Sequence, residues 1–313
     1  MMIINRYKCL LTRADSREVR STRAYLLIAV GLLYSLISSL STCLAQPVNA
    51  RAPLQPQITV PRVASMGGSG IAGSRATSAF ITNPAGMVLD SSYVVDANYF
   101  RTQTEENWLS LSVTDSQTHQ GRFALGLGYQ TKVISGDFTS HDAQIGLAMP
   151  IFKLGSRPVF GGVTGHYLYD DLSQDDLFDV DLGLMIPLGK VVSIGVVGDR
   201  LLEADERRWG AGLGFTTQSM SAHIDLKHSF ETESSDLNMG VEGLLSSSFV
   251  ARGGYVHQFT PQGGEAQAMT LGLAILGLGT GRGRINVSYV KSLIDDEYLF
   301  GAGFSTYLDT RIR

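Results

Sequence analysis

Cysteine is almost missing from this chain. Only 2 of its 313 residues are Cys, and both, Cys9 and Cys43, fall within the first 45. No disulfide framework and no zinc site can be assembled from such a pair. Charge is sparse as well, at 17%, where ordinary soluble domains carry about a quarter. There is no long block of either sign, and the formal net charge of −4 argues against a broad cationic face for nucleic acid. No stretch after Gln46 holds the roughly 18 consecutive apolar residues that a membrane-crossing helix needs. Disorder is excluded by a hydrophobic fraction of 44%. What is abundant is glycine, with 35 residues. The length permits one large domain or two small ones.

The first 45 residues read as an address. Arg6, Lys8, Arg13, Arg17, Arg20 and Arg23 precede an apolar run from Ala24 to Ile37, and small residues lead to Cys43-Leu44-Ala45. A basic region, an apolar run and a small-residue exit describe a secretory signal peptide, residues 1–45. The rival readings are an uncleaved anchor and a lipoprotein modified at Cys43. Cleavage before Gln46 leaves 19 of the 25 basic and 27 of the 29 acidic residues, a net of −8, and no cysteine. An exported chain without disulfides must be held by packing or by a closed hydrogen-bond network.

From residue 91 onward the pattern is alternation at period two, the mark of strands with two unlike faces. In Phe123-Ala-Leu-Gly-Leu-Gly-Tyr129, the large residues Phe123, Leu125, Leu127 and Tyr129 share one face, and Ala124, Gly126 and Gly128 the other. Trp209 to Phe215 repeats the scheme. Turn signals divide the chain into fourteen segments: 91–104, 108–115, 123–133, 141–151, 158–169, 176–188, 191–202, 208–216, 220–230, 237–245, 249–259, 266–278, 284–293 and 298–308. Most are about as long as the 9–11 residues of a tilted membrane strand.

Connections alternate in character. After odd segments come acidic links such as Asp170-Asp171 and Asp295-Asp296-Glu297; after even ones come tight links such as Leu188-Gly-Lys190 and Ser246-Ser-Ser248. Charge that follows connection parity implies an up-and-down meander with its two ends in different surroundings. Aromatics gather at strand ends, with Phe100, Trp108, Tyr129, Phe178, Trp209 and Phe300 beside the acidic links and Phe152, Phe215 and Phe249 beside the tight ones. Such rings are the girdles of an outer-membrane barrel. A water-soluble sandwich would need a strongly polar second face, whereas here that face is mostly Gly, Ala, Ser and Thr. Open sheet edges are untenable in hydrocarbon, so the sheet must close. The expectation is an all-β, closed antiparallel transmembrane barrel over residues 91–313, located in a Gram-negative-type outer membrane.

Residues 46–61 are Pro/Gln-rich and without period, a flexible segment. Residues 62–90 then contain Met66-Gly67-Gly68 and Asn83-Pro84-Ala85-Gly86-Met87. This resembles the N-terminal signature of FadL-type fatty-acid channels and the related PorV/PorQ-type barrels, in which an Ala-rich stretch with Met-Gly-Gly leads into Asn-Pro-Ala-Gly-Leu and the first strand. The resemblance covers about 26 residues and implies that 62–90 fold back inside the barrel as a hatch on the periplasmic side, with Met66, Gly67, Gly68, Asn83, Pro84, Ala85 and Gly86 as its key residues. The chain departs from that pattern in three places. Met87 replaces Leu, Arg75-Ala-Thr-Ser78 stands where an acidic residue is common, and the outward loops are short.

Chemistry is thin. Gly68-Ser-Gly70-Ile-Ala-Gly73 spells a dinucleotide fingerprint but lacks the βαβ unit that the motif requires. Six scattered histidines show no metal-ligand spacing. No enzyme activity, cofactor or metal is expected. By phase, the polar residues Asp179, Asp181, Arg208, Asp225, Lys227, Glu242, Arg252 and Arg284 point inward, where a charge needs a partner. Arg208–Asp225 and Glu242–Arg252 are the expected pairs. The expected task is passive transport of small hydrophobic or amphipathic molecules, with outer-membrane lipid or lipopolysaccharide around the wall and no nucleic-acid partner. The alternative is a PorV-like platform for a secretion or surface-attachment system.

Overall fold

A computed structural model describes residues 60–104, 106–134, 136–171, 173–203, 207–260, 265–278 and 282–308. The expected signal peptide, Cys43 and most of the Pro/Gln-rich segment lie outside them. Fourteen strands form one closed antiparallel ring in sequence order, the last pairing with the first. They are β1 Tyr93–Thr102, β2 Asn107–Asp115, β3 Ala124–Ile134, β4 Asp137–Leu154, β5 Arg157–Asp170, β6 Asp175–Pro187 and β7 Val192–Asp199, followed by β8 Arg208–Thr216, β9 Met220–Ser229, β10 Ser235–Leu244, β11 Phe249–Phe259, β12 Glu265–Leu278, β13 Gly283–Ser292 and β14 Tyr298–Leu308. Closure gives every strand two partners, which removes the unpaired edges that hydrocarbon would penalise by several kcal/mol per group.

The alternation sorts side chains as physics requires. Leu127 is 56% and Leu271 62% exposed on the outer face, while their neighbours Gly126 and Thr270 are buried. Tyr129, Phe178, Trp209 and Phe300 stand exposed near the acidic ends, and Phe152, Phe215 and Phe249 near the tight turns. Two girdle assignments need correcting. Phe100 is buried in a cluster with Ala64, Ala268, Val290 and Leu299, and Trp108 packs partly buried against it. In β1, Asp96, Asn98 and Phe100 share the inward phase, so position near a strand end misled where parity decides.

Inside the ring lies the chain from Val60 to Leu89. It forms a short helix α1 (Pro61–Ala64), a glycine-rich crossing, a helix α2 (Ala76–Thr82) and a single 3₁₀ turn over Pro84–Val88. Nearly every residue of it is buried. Val60, the first described residue, accepts from Val63 and Ala64 to open α1. Phe80, with Ala79, Met87 and Val88, packs on Ala124 and Ala148 of the wall.

Candidate functional site: the hatch and its seat

The small inner face does not line an open lumen; it is the seat of this inner segment. A Cβ at Gly126, Gly128 or Gly146 would run into the Phe80 ring. At Gly162 it would meet the Pro84–Ala85 backbone, at Gly183 the Asn83 side chain, and at Gly195 the Ile71 carbonyl. Gly212 gives room to Ile71, Gly240 to Met66, Gly254 to Gly67, Gly272 to Ser65 and Gly303 to Pro61. α2 also packs on β1 and β2, and α1 on β13. The segment thus touches every strand of the barrel and crosses its interior as a plate.

Asn83 is the principal staple. Its Oδ1 accepts from Ala85 N at 3.1 Å, capping the 3₁₀ turn, and Pro84 supplies the first position, where a missing N–H costs nothing. Its Nδ2 donates to Ile71 O at 2.8 Å, and to Leu184 O at 3.1 Å and Val196 O at 3.3 Å on β6 and β7. One side chain thereby ties two limbs of the segment to the wall. Gly86 is needed because a Cβ there would strike the Ser74 carbonyl. Met66 is buried. Gly67 has φ +65° and lies so close to Met239 O and Tyr255 N and O, 2.9–3.0 Å from where its Cβ would be, that only glycine fits. Gly68, also at positive φ, donates to Val63 O at 3.0 Å.

Charge supplies the other fastenings. Asp225 on β9 is fully buried and accepts from Gly70 N at 2.6 Å and Ile71 N at 2.9 Å. The expected Arg208–Asp225 pair is therefore not formed. Register explains it: Asp225 lies opposite Gly212, while Arg208 lies opposite Ser229. Glu242 on β10 does pair with Arg252, at 2.6 Å, and it also grips Arg62 of α1 through two bonds of 3.0 Å. Arg252 continues the chain of bonds to Asn286 Oδ1 at 3.0 Å, and Asn286 to Ser305 at 3.2 Å. Burial alone would lower the pKa of the Arg62 guanidinium, but the Glu242 carboxylate more than offsets this and holds it above its ordinary value. Thr270 donates to Ser65 O at 3.0 Å, Ser193 to Ala72 O, and Thr77 to Asp96.

The remaining inward residues serve the wall. Asp179 accepts from Leu202 N at 3.0 Å and Asp181 from Arg200 N at 2.9 Å, so the two carboxylates cap the place where β7 stops. His166 bridges Asp181 at 2.9 Å and Asp142 at 3.3 Å. Lys227 lies opposite Asp236 and Gly210. Arg284 rests over the Tyr307 ring at 5.3 Å. Arg284 and Glu242, with Arg75, Asp90 and Asp96, line a chamber of about 360 Å³ under the hatch at the tight-turn end. Sequence reasoning missed Arg62, Asp96, Asn286 and His166. The phase of their strands would have placed the last three inside. Among the described residues no group of three or more His, Cys, Asp or Glu side chains is placed to hold a metal ion.

A closed, fourteen-stranded up-and-down ring with an apolar outer belt is an outer-membrane-type, porin-like β-barrel. No protein-family model matches this chain, and neither does any curated protein sequence. Among solved structures it is similar to a monoaromatic hydrocarbon channel, CymD, at 11% identity and a TM-score of 0.54, over 80% of this chain and 97% of that one. It is similar also to the ΔS2S3 mutant of another such channel, TodX, at 11% identity and a TM-score of 0.56, over 79% and 98%. At such identities the likeness is one of fold.

Proposed function

We propose that this protein is a passive outer-membrane channel for small hydrophobic or amphipathic molecules, closed at rest by residues 60–90. The observation that carries the reading is the way the hatch is held. It sits on bare glycines and is fastened by side-chain bonds, chiefly at Asn83, Asp225 and the Arg62–Glu242 pair, rather than by strand pairing. A plate attached through side-chain bonds can be released piecemeal while the ring of backbone bonds stays intact. The Met-Gly-Gly and Asn-Pro-Ala-Gly elements fall where Gly67 crosses close to Met239 and Tyr255 and at the Asn83 staple, which supports an affinity with FadL-type barrels. The hydrocarbon channels among the structural neighbours support the same substrate class, and nothing in the comparisons supports a secretion platform. Solute-driven swelling of reconstituted vesicles tests the proposal. Asp225→Ala, and a chain lacking residues 60–90, should pass a small apolar or amphipathic solute faster than the intact protein. Equal rates in all three, with folded barrels verified by heat-modifiable mobility, would reject it.

A further inference from the structure

The hairpin of β4 and β5 outgrows the barrel. β3 accompanies β4 only as far as Ala124↔Ala148, and β6 accompanies β5 only from Phe160↔Met185. Met149–Leu154 and Arg157–Val159 therefore pair with each other alone, and at about 3.3 Å per residue the six residues of β4 reach roughly 20 Å beyond their neighbour. Gly155, at φ +64°, makes the turn.

The β4 limb of the extension is apolar and badly covered, while Val159 of β5 is buried. Ile151 is 47%, Phe152 56% and Leu154 61% exposed. A bulge sets their direction. Met149 lies opposite Gly161 and Phe152 opposite Val159, two residues apart and hence on one face, while the unpaired Ile151 packs 3.1 Å from where a Gly161 Cβ would stand. Met149, Ile151, Phe152 and Leu154 consequently extend the outward column begun by Ile145 and Leu147. A two-stranded ribbon with such a face in water would be marginal. The tip carries Lys153 and Arg157, both exposed, and no Asp or Glu occurs between Asp142 and Asp170. Arg122 and Lys190 stand exposed at the turns on either side.

We propose that this hairpin tip is an anionic-lipid anchor. Its outward residues enter the interfacial layer of the turn-end leaflet, and Lys153 and Arg157 sit on the phosphates of anionic phospholipids. Continuity of the apolar column with the lipid-facing wall and the one-signed charge at the tip select lipid over a soluble protein. Long basic side chains reach headgroups while their stems stay in apolar surroundings. The proposal is independent of whether the barrel conducts.

The test places a fluorophore on Leu154→Cys in a chain with Cys9 and Cys43 replaced by serine, with Ser247→Cys at the β10–β11 turn as comparator. The protein is reconstituted in phosphatidylcholine vesicles with and without phosphatidylglycerol. The Leu154 label should be quenched by nitroxide lipids more than the Ser247 label, and less by an aqueous quencher. Quenching by spin-labelled phosphatidylglycerol should exceed that by spin-labelled phosphatidylcholine. That ratio should fall roughly fivefold for each basic residue removed in Lys153→Gln and Arg157→Gln, as one charge near an anionic surface implies. A Leu154 label open to the aqueous quencher, including one shielded only when a periplasmic extract is added, overturns the proposal. So does a lipid ratio unchanged in the double variant.

Discussion

Glu242→Gln should unfasten the hatch without opening the ring. Glu242 accepts three charge-assisted bonds, two from Arg62 and one from Arg252, of 3.0, 3.0 and 2.6 Å. Glutamine keeps the shape but presents an amide donor to guanidinium donors and leaves two cations facing each other. Breaking a buried ion pair by removing one partner costs about 3–5 kcal/mol. The Glu242 side chain is 20% exposed, so solvent screens part of this and about 3 kcal/mol is a fair expectation. At 1.4 kcal/mol per decade, that shifts the seating equilibrium of α1 roughly a hundredfold toward release. The assay is maleimide labelling of Ser65→Cys, a buried position beside Arg62, in a chain with the native cysteines replaced. Labelling in Glu242→Gln should be faster by a comparable factor, with heat-modifiable mobility retained. The Arg62→Gln variant should show most of the same release, and the double variant little more than either single. Unchanged labelling in Glu242→Gln would refute the latch, and additive single effects would refute the coupling between the two residues.

Asn83→Ala removes contacts to Ile71, Leu184, Val196 and Ala85; at about 1 kcal/mol each it should destabilise the seated hatch by roughly 2–4 kcal/mol. Limited proteolysis in detergent checks this, and cleavage confined to the N-terminal side of Tyr93 is the expected product. Leu271→Arg, on the outer face near mid-strand, should lower the stability of the barrel in vesicles by about 2–4 kcal/mol. Thr270→Val, one residue away but bonded to Ser65, should cost only about 1 kcal/mol and act on the hatch. If the two changes gave equal unfolding free energies, the assignment of faces would be wrong.

Parity in the sequence was enough to locate the strands, because a residue that meets lipid and one that meets the hatch differ in size at every second position. β8, β11 and β14 span the segments that alternation delimits, 208–216, 249–259 and 298–308. The errors arise where a non-local bond overrides the period. β7 stops at Asp199 rather than running to residue 202, since Asp179 and Asp181 take the Leu202 and Arg200 amides. β4 runs to Leu154 rather than 151, past a bulge that breaks the alternation at Ile151.

The candidate site was harder to read than the ring, and glycine shows why. A Gly at an inward position is equally compatible with water beyond it and with a backbone pressed against it, and alternation within one strand cannot separate the two. What separates them is that the glycines at the seat come from many strands and each meets a particular residue of the hatch. Gly272, Gly254 and Gly240 take Ser65, Gly67 and Met66, Gly195 and Gly212 take Ile71, and Gly126 and Gly146 take Phe80. A lumen kept clear for solute would gain nothing from that correspondence. A plate that must be seated closely would be blocked by a side chain at nearly any of those positions, so the glycine-rich face is shaped to the segment seated on it.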